Sequence, residues 1–300
     1  MSDVKPTSDT RFGAISVNGR ISSVDDARIS AMDHGFLFGD SVYEVVRTID
    51  GRPVAVQEHL DRLRASAAQI YFEIPWTDEA LRSAIRETVE ATELDECYMR
   101  LVITRGPGPM SLLPDGCHTP TRVIYVMPLN TPRPEALAEG IAVTIPERLR
   151  NDPGALAPSA KTGNYLNNLL ALVEARRDGG ADAVLVGAGG HVTEATTANV
   201  FWVKDGDVFT PSLASGILPG ITRSMLLPAL ARAGFPVQEG RFPLARLLEA
   251  DEVFLTGSVK GVMPVVRIGD QAIGDGKPGP ITLRFVVLHD DVLRTFATAW

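Results

Sequence analysis

Lys161 stands in Ala157-Pro-Ser-Ala-Lys-Thr-Gly-Asn-Tyr165, after a proline- and glycine-rich loop and just before an amphipathic stretch. Only five of the 29 basic residues are lysine, so one in this setting is conspicuous. A lysine withdrawn from water loses its charge, because burial disfavours ammonium, and the free amine can condense with an aldehyde. Taken by itself, the same residue reads as a solvent-facing lysine at a helix start. Glu194 lies in Gly190-His-Val-Thr-Glu-Ala-Thr-Thr-Ala-Asn-Val-Phe201 and is the only acid between Asp182 and Asp205. Buried, it needs a partner. A pyridinium N–H is one such partner, and the pair would keep that ring an electron sink; a water-facing strand glutamate is the plainer alternative. Leu218-Pro-Gly-Ile-Thr-Arg-Ser224 opens a helix from a glycine loop, and free N–H groups beside the Thr222 hydroxyl make a phosphate seat. Thr256-Gly257-Ser258 offers a second group of small donors after a strand. Arg62, in Glu58-His-Leu-Asp-Arg-Leu63, is either a cationic arm for that phosphate or one half of a helix-surface salt bridge.

These residues need elements to hold them. Strands are expected at Ala14–Val17, turning at Asn18–Gly19, and at Ser41–Ile49, Tyr98–Thr104 and Arg122–Pro128. Leu60, Leu63, Ala67, Ile70 and Tyr71 recur at helical spacing, and Thr77 caps a second helix reaching about Ala91. The two prolines of Asn130–Glu135 mark a linker at 130–135. Beyond it come a strand at Ile141–Ile145, a helix from about Tyr165 to Gly179–Gly180, and strands at Ala183–Val186, Val200–Val203, Val208–Thr210 and Glu252–Thr256, with a helix starting near Thr222. The chain thus reads as a loose tail (1–12), a small α/β domain (13–129), the linker, and a larger α/β domain (136–300), with the site expected in the cleft between domains.

The order Arg62, Lys161, Glu194, Ile221–Thr222, Gly257–Ser258 resembles the class IV (fold type IV) aminotransferases. That family includes branched-chain aminotransferases, D-amino-acid aminotransferases and 4-amino-4-deoxychorismate lyases. The resemblance runs from about Asp33 to the C-terminus. Asp33-His-Gly-Phe-Leu-Phe-Gly-Asp-Ser-Val-Tyr-Glu44 is similar to the family's first signature, and His191–Phe201 and Leu218–Arg223 are the most specific matches. It implies a two-domain, mixed α+β and α/β enzyme of D-amino-acid aminotransferase-like fold, forming a homodimer or a homo-oligomer of dimers. Its cofactor would be pyridoxal 5′-phosphate, held covalently by Lys161. Glu194 would pair with the pyridine nitrogen and Tyr165 with the phenolic oxygen. Arg62, Ile221, Thr222, Gly257 and Ser258 would hold the phosphate, with Leu218 packed on the ring.

Tyr98-Met-Arg100 resembles the Tyr-x-Arg strand lining the pocket of branched-chain enzymes. Tyr43 and Tyr98 are candidate apolar walls, and Arg47 and Arg100 candidate carboxylate partners. The short Lys161-Thr-Gly-Asn164 spacing instead resembles the D-amino-acid and lyase subgroups. However, the loop Gly106–Pro114 lacks the Arg-x-His with which D-amino-acid enzymes bind carboxylate. The reading that follows is ping-pong transamination between an apolar, branched-chain L-amino acid and 2-oxoglutarate. D-amino-acid or (R)-amine transamination and aminodeoxychorismate cleavage are the alternatives.

Other classes are disfavoured. A net charge of −8 argues against general nucleic-acid binding. No run approaches the roughly 20 apolar residues of a membrane span, and the polar first residues give no expectation of a secretory signal. Cys97 and Cys117 cannot build a disulfide framework or a four-thiolate zinc site. His34, His59, His118, His191 and His289 show no paired metal-ligand spacing. A cytoplasmic location is expected.

Overall fold

The computed structural model describes residues 9–300, and the chain in it divides into two compact units. The first comprises the described residues up to Asn130 together with Ala160–Asn164 and Phe296–Trp300; the second comprises Thr131–Ser159 and Tyr165–Thr295. The units are therefore not two consecutive lengths of chain. The strip bearing Lys161 is part of the first. Within the expected linker, Pro134 already opens a short helix, where the missing N–H of a proline costs nothing. Most of the expected tail, residues 1–8, lies outside the described residues. The rest of it is tied down: the Thr10 hydroxyl donates to the Ala91 carbonyl at 2.6 Å, and the Glu93 N–H to the Arg11 carbonyl at 3.0 Å.

The first unit contains β1 (Ala14–Val17), β2 (Arg20–Ser23), α1 (His34–Phe38), β3 (Ser41–Ile49), β4 (Arg52–Pro53), α2 (Val56–Gln69), α3 (Asp78–Glu90), β5 (Cys97–Thr104) and β6 (Thr121–Pro128). Its sheet runs β2-β1-β6-β5-β3-β4, antiparallel throughout. Asn18 and Gly19 turn the first hairpin with φ of 50° and 92°, the left-handed pair that such two-residue turns require. Side chains alternate across β3 and β5. One face sends Val42, Val46, Met99, Leu101 and Ile103 against Val56, Leu60, Leu63 and Ala67 of α2 and Leu81, Ala84 and Ile85 of α3. That core fixes β3, and with it the opposite face, which carries Tyr43, Arg47, Tyr98 and Arg100.

The second unit holds α4 (Pro134–Glu139), β7 (Ile141–Thr144), α5 (Leu166–Arg177), β8 (Asp182–Val186), β9 (Val192–Ala195), β10 (Asn199–Lys204), β11 (Asp207–Pro211), α6 (Ile221–Arg232), β12 (Val237–Gly240), α7 (Leu244–Leu248), β13 (Glu252–Gly257), β14 (Gly261–Ile268), β15 (Gln271–Ala272) and α8, which starts at Pro280 and runs to Phe296. Its mixed sheet is ordered β12-β11-β10-β13-β14-β7-β8-β9, with β15 paired to β14. Trp202, fully buried, stacks on Phe209 and meets Phe242 edge-on at the centre of its core. Among the described residues no helix is long and apolar enough to cross a membrane.

Candidate active site

In the first unit, residues 160–164 add a short rung to the start of β3. Val42 bridges Thr162, the Tyr43 N–H donates to the Lys161 carbonyl at 3.0 Å, and the Gly163 N–H donates to the Ser41 carbonyl at 2.8 Å. A Cβ at Gly163 would run into the Ser41 hydroxyl, so glycine is needed for the approach. On the other side the Lys161 N–H donates to the buried Ser66 hydroxyl of α2 at 2.9 Å. The Lys161 backbone is thus held from both flanks. Its Nζ lies 4.4 Å from the centre of the Tyr43 ring, and the Arg100 Cζ lies 4.1 Å from the same centre. Amine, aromatic wall and guanidinium therefore meet around one ring. Tyr98 sits half-buried opposite Arg47 on the same face, and Arg47 donates from Nε to the Thr48 carbonyl.

Arg62 takes a different position. It rises from α2 toward Glu44, on the face of β3 opposite Tyr43, and grips that carboxylate with Nε at 2.7 Å and Nη2 at 2.6 Å. His59 Nδ1 completes the cluster, 2.6 Å from Glu44 Oε2. Burial alone would raise the Glu44 pKa, but the guanidinium and the imidazole outweigh it and hold the carboxyl at about 2. Burial pushes His59 down, the charges of Arg62 and Lys161 add to this, and Glu44 opposes them. His59 is accordingly neutral and donates its single N–H to Glu44. Glu44, His59 and Ser66 do not stand out in the sequence, because their partners lie 15 to 95 residues away.

The second unit carries the other expected residues. Glu194, on β9, is buried, and it is not alone there. Arg150 donates to Oε1 from Nε at 3.1 Å and Nη2 at 2.9 Å, the Leu218 N–H donates to Oε2 at 2.9 Å, and Asn199 Nδ2 reaches the same oxygen at 3.4 Å. These four donors converge on the one buried carboxylate. Leu218 is half-buried, its backbone clamped between Glu194 and Asn199, whose Nδ2 donates to the Leu218 carbonyl at 3.0 Å. Neither Arg150 nor Asn199 stands out in the sequence, since arginine is abundant and asparagine there reads as a strand residue.

Ile221 and Thr222 form the first turn of α6, which no side chain caps. Thr222 is 2 % exposed and Thr256, at the end of β13, is 1 % exposed; both hydroxyls lack a hydrogen-bond partner. Thr256 pairs in register with Asn199, the residue that touches Leu218, so both hydroxyls belong to the same corner of the unit. Buried polar groups are rarely left unpaired, and here they flank a helix start suited to an anion. Gly257 closes β13 opposite Gly261, and Ser258 follows, half-buried, in the turn. The Tyr165 hydroxyl donates to the Thr196 carbonyl at 3.1 Å.

Comparison with known proteins bears on this arrangement. The family described as Amino-transferase class IV matches residues 41–268. A Methanocaldococcus jannaschii protein provisionally named a branched-chain-amino-acid aminotransferase is 37% identical over 280 residues, 93% of this chain and 96% of that one. The D-alanine aminotransferase of Listeria innocua is 36% identical over 270 residues, 89% of this chain and 91% of its own. The solved branched-chain amino acid aminotransferase of T.th. with pyridoxamine 5′-phosphate shares a TM-score of 0.90 at 29% identity, covering 96% of this chain and 99% of that one. That same enzyme has also been solved with N-(5′-phosphopyridoxyl)-L-glutamate and with 4-methylvaleric acid.

Proposed function

This chain belongs to the class IV aminotransferases and has the fold of their solved members, and on that premise we propose that it moves the amino group of an apolar, branched-chain L-amino acid to 2-oxoglutarate, in two half-reactions at one site using pyridoxal 5′-phosphate. The observation carrying this reading is the Tyr43 ring, flanked by the Lys161 amine and the Arg100 guanidinium. An apolar wall suits a leucine or valine side chain, and the cation beside it suits the second carboxylate of glutamate.

The residues present fit the cofactor. The two unpartnered hydroxyls of Thr222 and Thr256, at the uncapped start of α6, fit its phosphate, together with Ile221, Gly257 and Ser258. The buried, multiply donated Glu194 fits its ring N–H, with Leu218 beside it. When bound, the cofactor supplies an electron sink for charge developing at the substrate Cα. Lys161 would hold it through the side-chain amine, and that amine would take and return the proton at the substrate Cα. Glu194, its carboxylate gripped by Arg150, would face the ring nitrogen and its proton. Tyr165 orients the phenolic oxygen, and Arg100 orients the acceptor's distal carboxylate.

The similarity to D-alanine aminotransferase makes stereochemistry the sharpest test. Single-turnover spectra of the holoenzyme should show conversion with L-leucine and L-glutamate and none with D-alanine. Conversion by D-alanine without L-leucine overturns the assignment. The reading includes a homodimer, supported by Phe36, Met110, Leu112 and Leu113, apolar side chains each 66% or more exposed in the first unit.

A further inference from the structure

Asp182 is 1 % exposed, yet it is a carboxylate, and its four contacts account for it. Oδ1 accepts from the Ala183 N–H at 2.8 Å, the Thr196 N–H at 3.3 Å and the Thr196 hydroxyl; Oδ2 accepts from Lys260 Nζ. Lys260 also donates to the Thr197 hydroxyl at 2.8 Å. A buried carboxylate needs a counter-charge, and Lys260 is the cation that reaches Asp182. Asp182 in turn takes the Thr196 hydroxyl and shares the Thr196 N–H, which also donates to the Ala183 carbonyl at 3.2 Å. That leaves the Thr196 carbonyl pointing in one direction, where it accepts from Tyr165 Oη at 3.1 Å and from Asn168 Nδ2 at 2.7 Å.

We propose that Lys260 and Asp182 are positioning residues for Tyr165, acting through the Thr196 peptide, and that Asn168 lets the Tyr165 hydroxyl swing its proton between that carbonyl and the cofactor's phenolic oxygen. A phenol has one proton to give. A carbonyl abandoned by its sole donor while buried pays a desolvation penalty, which would hold the proton where it is. With Asn168 as a second donor, the Thr196 oxygen stays satisfied when Tyr165 turns to the ligand. The fixed peptide keeps the hydroxyl within reach of both acceptors, and Lys260 fixes the peptide through a buried charge. The lysine thus has a task distinct from that of Lys161.

The inference rests on the reading of Tyr165 as the partner of the phenolic oxygen, and the experiment separates the two. The holoenzyme absorbance is titrated with pH in Tyr165→Phe, Lys260→Met, Lys260→Arg, Asp182→Asn and the double variant Tyr165→Phe/Lys260→Met, with thermal melting of each protein as a check on folding. Losing a hydrogen bond to a charged oxygen, Tyr165→Phe should move the spectral midpoint by about 1 pH unit or more. Lys260→Met and Asp182→Asn should move it the same way by a smaller amount, and Lys260→Arg should restore it. The double variant should move no further than Tyr165→Phe, since two residues on one route are not additive. A shift in Tyr165→Phe alone, or an additive double variant, overturns the positioning role and leaves the Tyr165 reading standing. No shift in Tyr165→Phe overturns both. A lower melting temperature in Lys260→Met with an unmoved midpoint marks a purely structural ion pair and likewise overturns the proposal. If Lys260→Met fails to fold, Asp182→Asn, which keeps the acceptor on Thr196 but removes the charge, decides the matter.

Discussion

Glu194 and Arg150 are a buried pair with side chains 6 % and 9 % exposed, and this changes what a conservative substitution at Glu194 should do. Glu194→Gln retains shape but strands the guanidinium, and breaking one side of a buried pair typically costs about 3–5 kcal/mol. The variant should therefore melt at lower temperature as well as slow the amino-acid half-reaction, by a factor on the order of 10² by analogy with other lost electrostatic stabilisers. Adding Arg150→Met should recover part of the stability and none of the rate, as calorimetry alongside stopped-flow spectra will show. At Arg100 the expected separation is between substrates. Arg100→Met keeps the hydrophobic stem against Tyr43 and removes the fork, so 2-oxoglutarate and glutamate should weaken more than leucine, by about 10-fold or more for a lost charge-assisted bond. Equal losses for both would move Arg100 to the shared α-carboxylate.

Single elements carry predictions about folding. Thr77 caps α3 by accepting from the Ala80 N–H at 3.2 Å, and Thr77→Ala should cost about 1 kcal/mol in urea unfolding. Leu63 of α2 is fully buried against the sheet, and Leu63→Ala should cost about 2–5 kcal/mol. Because the same helix places Ser66 under Lys161, that loss should also loosen cofactor retention. The periodicity of Leu60, Leu63 and Ala67 makes α2 readable, and alternation makes β3, β5 and β6 readable to within a residue or so. α8 carries helical spacing of its own, with Phe285, His289, Val292 and Leu293 on its buried face, whereas β14 gives no comparable signal. β14 has a proline within it at Pro264, which weighs against a strand, and α1 is only five residues long. Lys161 and Glu194 stand out as candidates because each is chemically isolated along the chain. Arg150, Asp182 and Glu44 do not, because a charge reveals its task only through a partner brought near by the fold. For the same reason the doubly bonded Glu44 partner of Arg62 cannot be foreseen.

For the molecule as a whole, the Glu44–His59–Arg62 cluster writes itself into the pH dependence of stability. The folded Glu44 titrates at about 2, below its ordinary 4.5, so the unfolded chain takes up a proton that the folded one refuses; stability present above 4.5 is lost as pH falls toward 2. His59 is likewise pushed below 6.5, so a further loss begins as pH drops through 6.5. Urea midpoints measured from about pH 8 to about pH 2 should fall in the wild type from about 6.5 downward. His59→Gln should flatten the upper part of that decline and keep the lower part.

The strip that carries Lys161 is made far later than the strand it joins. Val42 bridges Thr162, and Val54 bridges Ala297. On a ribosome adding roughly 5–20 residues per second, β3 waits on the order of ten seconds for residue 162 to appear, and longer still for residue 297. The unit that is synthesised first is therefore finished last. Until residue 164 has been made a nascent chain presents no seated amine to free aldehydes in the cell, and a product stopped short of residue 297 would lack the bridge at Val54. Birth order alone delays the Lys161 amine until the strand and helix that hold its backbone exist.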